Sequence, residues 1–148
     1  MRRTSRRLAL TTLIALALPA LAARAEDASD LLIIVNQASV VKEASAAELK
    51  SIFLKKRNVW NNGDKASPLN TPGGSPLREA FQRRVLEMSP EEEDKHWADE
   101  KIRSGTASPG TVSNSLKAVF SSKSIVSYVF RGDLKPGLVQ VIAVFPGK

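Results

Sequence analysis

The chain has 148 residues, with 22 Lys and Arg against 15 Asp and Glu, a formal charge of +7, no cysteine and a single histidine, His96. Thiol chemistry and cysteine-ligated metals are excluded, and a Ser-His-Asp arrangement depends on His96, which follows the charged run Glu91-Glu92-Glu93-Asp94-Lys95 and reads as a solvated helix-face histidine. The length suits one modest domain that buries a core without disulfides.

Arg2, Arg3, Arg6 and Arg7 precede an uncharged apolar run over residues 8–23, and Ala23-Arg24-Ala25 offers small residues around a cleavage site. This is the pattern of a secretory signal peptide over residues 1–25, cleaved after Ala25. The run falls short of the roughly 20 residues of a membrane span and Pro19 interrupts it, so no stable span is expected after cleavage. Ser5-Arg6-Arg7 partly matches a twin-arginine signal, but Ala9 stands where that signal prefers a bulky apolar residue, which favours the general secretory route. Five arginines and no acid leave with the segment, so 17 basic residues face 15 acidic ones and the remainder carries +2. Lys55-Lys56-Arg57 and Arg83-Arg84 are short and separated, and the aromatic residues are scattered. A nucleic-acid partner is not expected.

Residues 26–30 read as a short flexible leader. Residues 31–35 are an unbroken apolar run of strand length, which predicts a strand covered on both faces. Asn36-Gln37-Ala38-Ser39 leaves its end. Ser45 and Glu48 have capping-box spacing, and Leu49, Ile52 and Phe53 recur at helical intervals. Trp60-Asn61-Asn62-Gly63-Asp64 predicts a tight turn in which Trp60 is a packing anchor, and residues 66–69 predict a short strand. Strand, helix and strand in that order imply a right-handed parallel crossover.

Leu77, Ala80, Phe81, Val85 and Met88 form the stripe of the next helix, with Arg78 beside it. Ser89-Pro90-Glu91-Glu92 begins another capping box, Lys101 and Arg103 suit the far end of that helix, and Gly105 is its stop. Trp97 and Ile102 are its apolar anchors, and its acid run is the solvated face. After a polar loop over residues 106–110, Val112, Leu116, Val119 and Phe120 mark a further helix, started or capped by Thr111. Residues 125–129 and 138–144 predict strands, separated by Arg131-Gly132-Asp133 and Pro136-Gly137. The alternation predicts an α/β domain.

The segment most suggestive of chemistry is Leu69-Asn70-Thr71-Pro72-Gly73-Gly74-Ser75-Pro76-Leu77-Arg78. Ser75 is a favoured N-cap, Pro76 fits the first helical position, and Gly73-Gly74 let backbone approach a ligand closely. The first-turn N–H groups lack helical partners and carry about half a positive charge, so the helix start is open to an anion.

In segment order the chain resembles the periplasmic phosphate-binding components of ABC transporters, most closely their short PstS-like relatives. The resemblance covers about residues 31–144 and rests on the strand ending in Asn36, on Glu48-Leu49-Lys50-Ser51-Ile52-Phe53 leading to Trp60 and Gly63, on Ser75 to Phe81, and on Trp97 and Gly105. It implies a periplasmic-binding-protein-like fold of type 2 and reduced size, with a mixed sheet of about four to five strands flanked by helices. It also implies an oxyanion held between lobes by hydroxyls, an arginine and helix N-termini, with no cofactor and no reaction.

On this chain the candidate ligands are Asn36, Gln37, Asn70, Gly74, Ser75, Arg78 and Thr111. Ser75 and its following N–H groups would donate, Arg78 would supply charge, and Asn36 or Gln37 would lie across the cleft. The chain departs from its relatives where Ser75-Pro76-Leu77 replaces Ser-Gly-Thr and where Asn70 stands near the place of an arginine. Ser124 and Ser127 replace two glycines of the family segment Gly-Ala-Ile-Gly-Tyr-Val. Two functions follow: binding of phosphate or a related oxyanion in the periplasm, serving an ABC transporter permease, or a degenerate binding fold that acts as an envelope sensor or protein-interaction subunit.

Overall fold

The structure is a computed structural model that describes residues 27–147. The expected signal peptide, residues 1–25, lies outside the described residues.

Strand β1, Leu31–Asn36, is the spine of a four-stranded mixed sheet whose other strands are β2 (Ser67–Pro68), β3 (Ile125–Phe130) and β4 (Val139–Phe145), in the order β2-β3-β1-β4. Because successive strand side chains point to opposite faces, the apolar run of β1 feeds two cores. Leu31, Ile33 and Val35 pack with Leu49, Ile52, Phe53, Phe81, Val85 and Leu86 on one side. Leu32 and Ile34 pack with Val119, Val129 and Val139 on the other. The coverage on both faces read from the sequence is present.

The parallel crossover is not. Strand β3 lies between β1 and β2, antiparallel to β1 with Leu31 opposite Phe130, and parallel to β2 with Pro68 opposite Val126. Strands β1 and β2 are therefore not neighbours and run in opposite directions. Only a distant segment returning late in the chain could insert between them, and no local signal announces that. Strand β4 pairs with the other edge of β1, with a register shift between Ile33 and Ile34 that leaves Ile142 as the extra residue of a bulge.

Helix α1, Ala46–Phe53, is capped by the Ser45 hydroxyl, which accepts from the Glu48 N–H at 3.1 Å. The Glu48 carboxylate does not close the expected box; it accepts instead from the Asn61 N–H at 2.9 Å and fixes the following hairpin. There Trp60 is 3% exposed in the core, and Gly63 takes a φ of 90° that favours glycine.

Helix α2, Pro76–Phe81, continues into a π-helical turn, Gln82–Leu86, so the apolar stripe stays on the core through Val85 and Leu86. Helix α3, Pro90–Ser104, has the complete Ser89–Glu92 capping box, and Gly105 ends it with a φ of 72°. Three expectations for α3 are corrected. Ile102 is 87% exposed and anchors nothing, and Glu93, placed in the solvated acid run, is only 2% exposed. His96 is half-buried, edge-on to Trp97, rather than fully solvated.

Helix α4, Ser115–Ser121, starts later than the apolar spacing suggests, because Asn114 caps it by accepting from the Lys117 N–H at 3.0 Å. Thr111 is not its cap, and Phe120 turns out to be 62% exposed. Residues 27–30 are no loose leader. They form a turn whose Asp30 carboxylate accepts from the Gly147 N–H at 2.8 Å and meets Arg131 at 3.3 Å, tying the start of β1 to the end of β4.

Candidate functional site

The loop after β2 runs over the side of the sheet where Tyr128 of β3 ends in a hydroxyl. That oxygen accepts from the Thr71 N–H at 3.1 Å and from the Thr71 hydroxyl at 3.2 Å, and donates to Asn70 Oδ1 at 3.3 Å. Asn70 also bridges in backbone to the segment before α4: its N–H donates to the Gly110 carbonyl at 2.8 Å, and its carbonyl accepts from the Val112 N–H at 2.8 Å. Asn70 and Thr111 are thereby set side by side in parallel pairing. A cavity of about 420 Å³ opens beside Thr111, lined also by Ser113, Asn114 and Lys117.

From Asn70 the chain turns through residues 72–75 into α2. The Ser75 hydroxyl accepts from the Arg78 N–H at 3.2 Å and donates to the Pro72 carbonyl at 2.8 Å. The cap is formed, and its hydroxyl proton is spent within the turn. Gly74 adopts a φ of 77°, and a Cβ at Gly73 or Gly74 would meet nothing within 4 Å, so this backbone faces open space. The N–H groups of Gly73, Gly74 and Leu77 make no backbone hydrogen bond among the described residues. They are donors of the kind that a helix start offers to an anion.

Arg78, expected beside the core stripe as the charge partner of a ligand, points inward. It is 9% exposed; Nη2 meets Glu93 Oε1 at 2.5 Å and Nη1 reaches the Tyr128 hydroxyl at 3.4 Å. The Glu93 carboxylate also accepts from Gln82 Nε2 at 2.7 Å and from Trp97 Nε1 at 3.4 Å. The guanidinium charge is neutralised inside the fold, so an anion on the turn would meet peptide dipoles rather than a free cation.

Asn36 and Gln37 lie elsewhere. Asn36 Nδ2 donates to the carbonyls of Val119 at 3.1 Å and Phe120 at 2.9 Å, capping the last turn of α4. Gln37 is exposed and gives its carbonyl to Gln140. The strand pairing sets Asn36 two strands across and about three residues along from Asn70, roughly 14 Å at ordinary sheet spacings. The fold thus gathers Asn70, Gly74, Ser75, Arg78 and Thr111 at one end and leaves Asn36 and Gln37 at another. Tyr128, Thr71, Gln82 and Glu93 complete the gathered group without having been singled out in the sequence. Only the Glu93–Trp97 spacing, i to i+4 on one helix, hinted at Glu93.

No family model and no curated protein matches the chain in sequence. Solved structures do match in fold. An ABC-type phosphate transport receptor from Vibrio cholerae superposes with a TM-score of 0.59 at 17% identity, over 78% of this chain and 46% of that one. A phosphate ABC transporter substrate-binding protein from Clostridium perfringens, solved with bound phosphate, gives 0.60 at 17% identity, over 78% and 45%. PstS from Borrelia burgdorferi gives 0.55 at 10% identity, over 76% and 46%. The four-stranded mixed sheet flanked by helices is a periplasmic-binding-protein-like fold. The chain spans less than half the length of the structures that it matches. Among the described residues no helix is long and apolar enough to cross a membrane.

Proposed function

We propose that this protein is an exported, phosphate-binding-like domain that holds a small oxyanion, phosphate first, on the turn into α2. The carrying observation is the set of unpaired N–H groups of Gly73, Gly74 and Leu77 at an open, Ser75-capped helix start. Asn70 and Thr111 flank the turn and would add side-chain contacts. Binding serves uptake or sensing rather than catalysis, and an ABC transporter permease is the natural partner. The solved structures of similar fold include transport receptors and a phosphate complex, which supports this reading. Pro76 lacks an N–H and Leu77 a hydroxyl, so the affinity is weaker than a Ser-Gly-Thr turn would give.

The test is an amide-resolved NMR titration of the protein with phosphate and sulfate. Saturable shifts centred on Gly73, Gly74 and Leu77 are expected; saturable shifts elsewhere, or none, would overturn the assignment. A second reading, a degenerate binding fold acting through protein contacts, is favoured by one observation. The Arg78 charge and the Ser75 proton are already used internally. Absence of any oxyanion response in the titration would select it.

A further inference from the structure

Glu93 is a buried carboxylate held by donors from three side chains, which makes its surroundings a formed anion site. Arg78 Nη2 at 2.5 Å and Gln82 Nε2 at 2.7 Å come from α2 and the π-helical turn, and Trp97 Nε1 at 3.4 Å comes from α3 itself. We propose that Arg78 and Gln82 form a buried oxyanion seat whose occupant in this conformation is the Glu93 carboxylate, and that a free carboxylate or phosphate-type oxyanion takes the same seat when α3 lifts. The seat adjoins the residue 73–77 turn, whose Ser75 caps the Arg78 N–H, but it uses side chains and not the amides of that turn.

Two observations carry the inference. The first is an unused donor in the seat: Arg78 Nε is buried and has no hydrogen-bond partner. A carboxylate on a helix reaches Nη2 and leaves Nε unmet, whereas a free oxyanion can turn to engage both edges of the guanidinium. The second is how lightly α3 is held. Glu93 is the one buried residue of its fifteen, Trp97 is half-buried and Ile102 is 87% exposed. Lifting α3 therefore uncovers Trp97 and the patch of core that it packs on, and the other obstacle is the loss of the Glu93 contacts, which an incoming anion replaces. Glu93 acts as a tethered ligand at high effective concentration, so the free anion must be supplied in excess.

The experiment has two arms on the whole protein. In the first, Glu93→Ala empties the seat and Glu93→Gln fills it with a neutral isostere. Thermal melts are compared in sodium formate, phosphate and chloride at matched ionic strength. Formate and phosphate should stabilise Glu93→Ala saturably, by about elevenfold in the folding constant at tenfold excess over Kd, which is a Tm rise of about 3–6 °C. Wild type and Glu93→Gln should show no such increment, which separates binding from general salt effects. If Glu93→Ala folds only with formate or phosphate present, the proposal stands; if it fails in every salt while Glu93→Gln folds, or if all three proteins respond alike, it falls.

In the second arm, amide exchange across α3 of the wild type should quicken with added formate or phosphate relative to chloride, while β1 amides stay protected. Unchanged exchange in α3 would overturn the proposal. Neither arm reads the Gly73, Gly74 and Leu77 amides, so failure here and failure of the turn are told apart.

Discussion

The ring of Tyr128 lies flat on that of Phe81, with centroids 4.0 Å apart and planes within 3°. Phe53 tilts against both, at 4.6 Å from Phe81 and 5.9 Å from Tyr128, so three rings tie β3 to α1 and α2. The stack also aims the Tyr128 hydroxyl at the loop that carries Asn70 and Thr71. Tyr128→Phe keeps the rings and leaves the buried Thr71 N–H and Asn70 Oδ1 without their Tyr128 partner. The expected loss is about 1–3 kcal/mol in a denaturant titration with an unchanged slope. Tyr128→Ala empties the stack as well and should cost about 3–5 kcal/mol.

Ser75 separates capping from ligand donation. Ser75→Ala removes the acceptor for the Arg78 N–H and should destabilise by about 1 kcal/mol, while Ser75→Gly should lose only a few tenths. Because the hydroxyl proton already goes to Pro72, any oxyanion affinity should survive Ser75→Gly within a few-fold. Loss of binding in a calorimetric titration of Ser75→Gly would show that the hydroxyl reorients to the ligand.

Asp30 gives the fold an acid-sensitive clasp. The Gly147 N–H chiefly, then the Asp27 N–H and Arg131, hold its carboxyl below the ordinary 3.8, against the opposing effect of burial. A carboxyl depressed in the folded state stabilises above its unfolded pKa and loses that contribution as pH falls through the folded value. Wild type should therefore exceed Asp30→Asn in stability at neutral pH, and the gap should narrow below about pH 4. Thermal melts from pH 2 to 7 check this, and a gap that widens on acidification would contradict it.

The elements were legible in the sequence where a local rule decides them. Ser45, Ser75 and Ser89 cap helices, Gly63 and Gly105 take left-handed conformations, and residues 31–35 bury both faces. What the sequence could not carry was pairing between distant segments. The insertion of β3 between β1 and β2 depends on contacts across the length of the chain. The same limit applies to the site. Asn70 and Thr111 meet through a backbone bridge that neither residue type signals, and Asn36 looked free because its partner, the last turn of α4, is 83 residues away. Glu93 was hidden among acids of identical type, since one turn of helix decides which of them faces Arg78.

That pair makes a sharp energetic prediction. Arg78 and Glu93 have side chains 11% and 3% exposed, so removing either partner leaves a buried, uncompensated charge. Arg78→Met and Glu93→Leu should each cost about 3–5 kcal/mol. The double substitution puts apolar groups where both charges stood, so it should cost less than the sum by a coupling of about 1–3 kcal/mol. Gln82 and Trp97 bear on the result, because both lose their acceptor when Glu93 goes. Adding Gln82→Leu to the double variant should therefore recover stability rather than lose it, and chemical denaturation of the four variants beside wild type measures each step. Strict additivity of the two single losses would mean that Arg78 and Glu93 do not stabilise one another, and would remove the basis for treating Glu93 as the occupant of an anion seat.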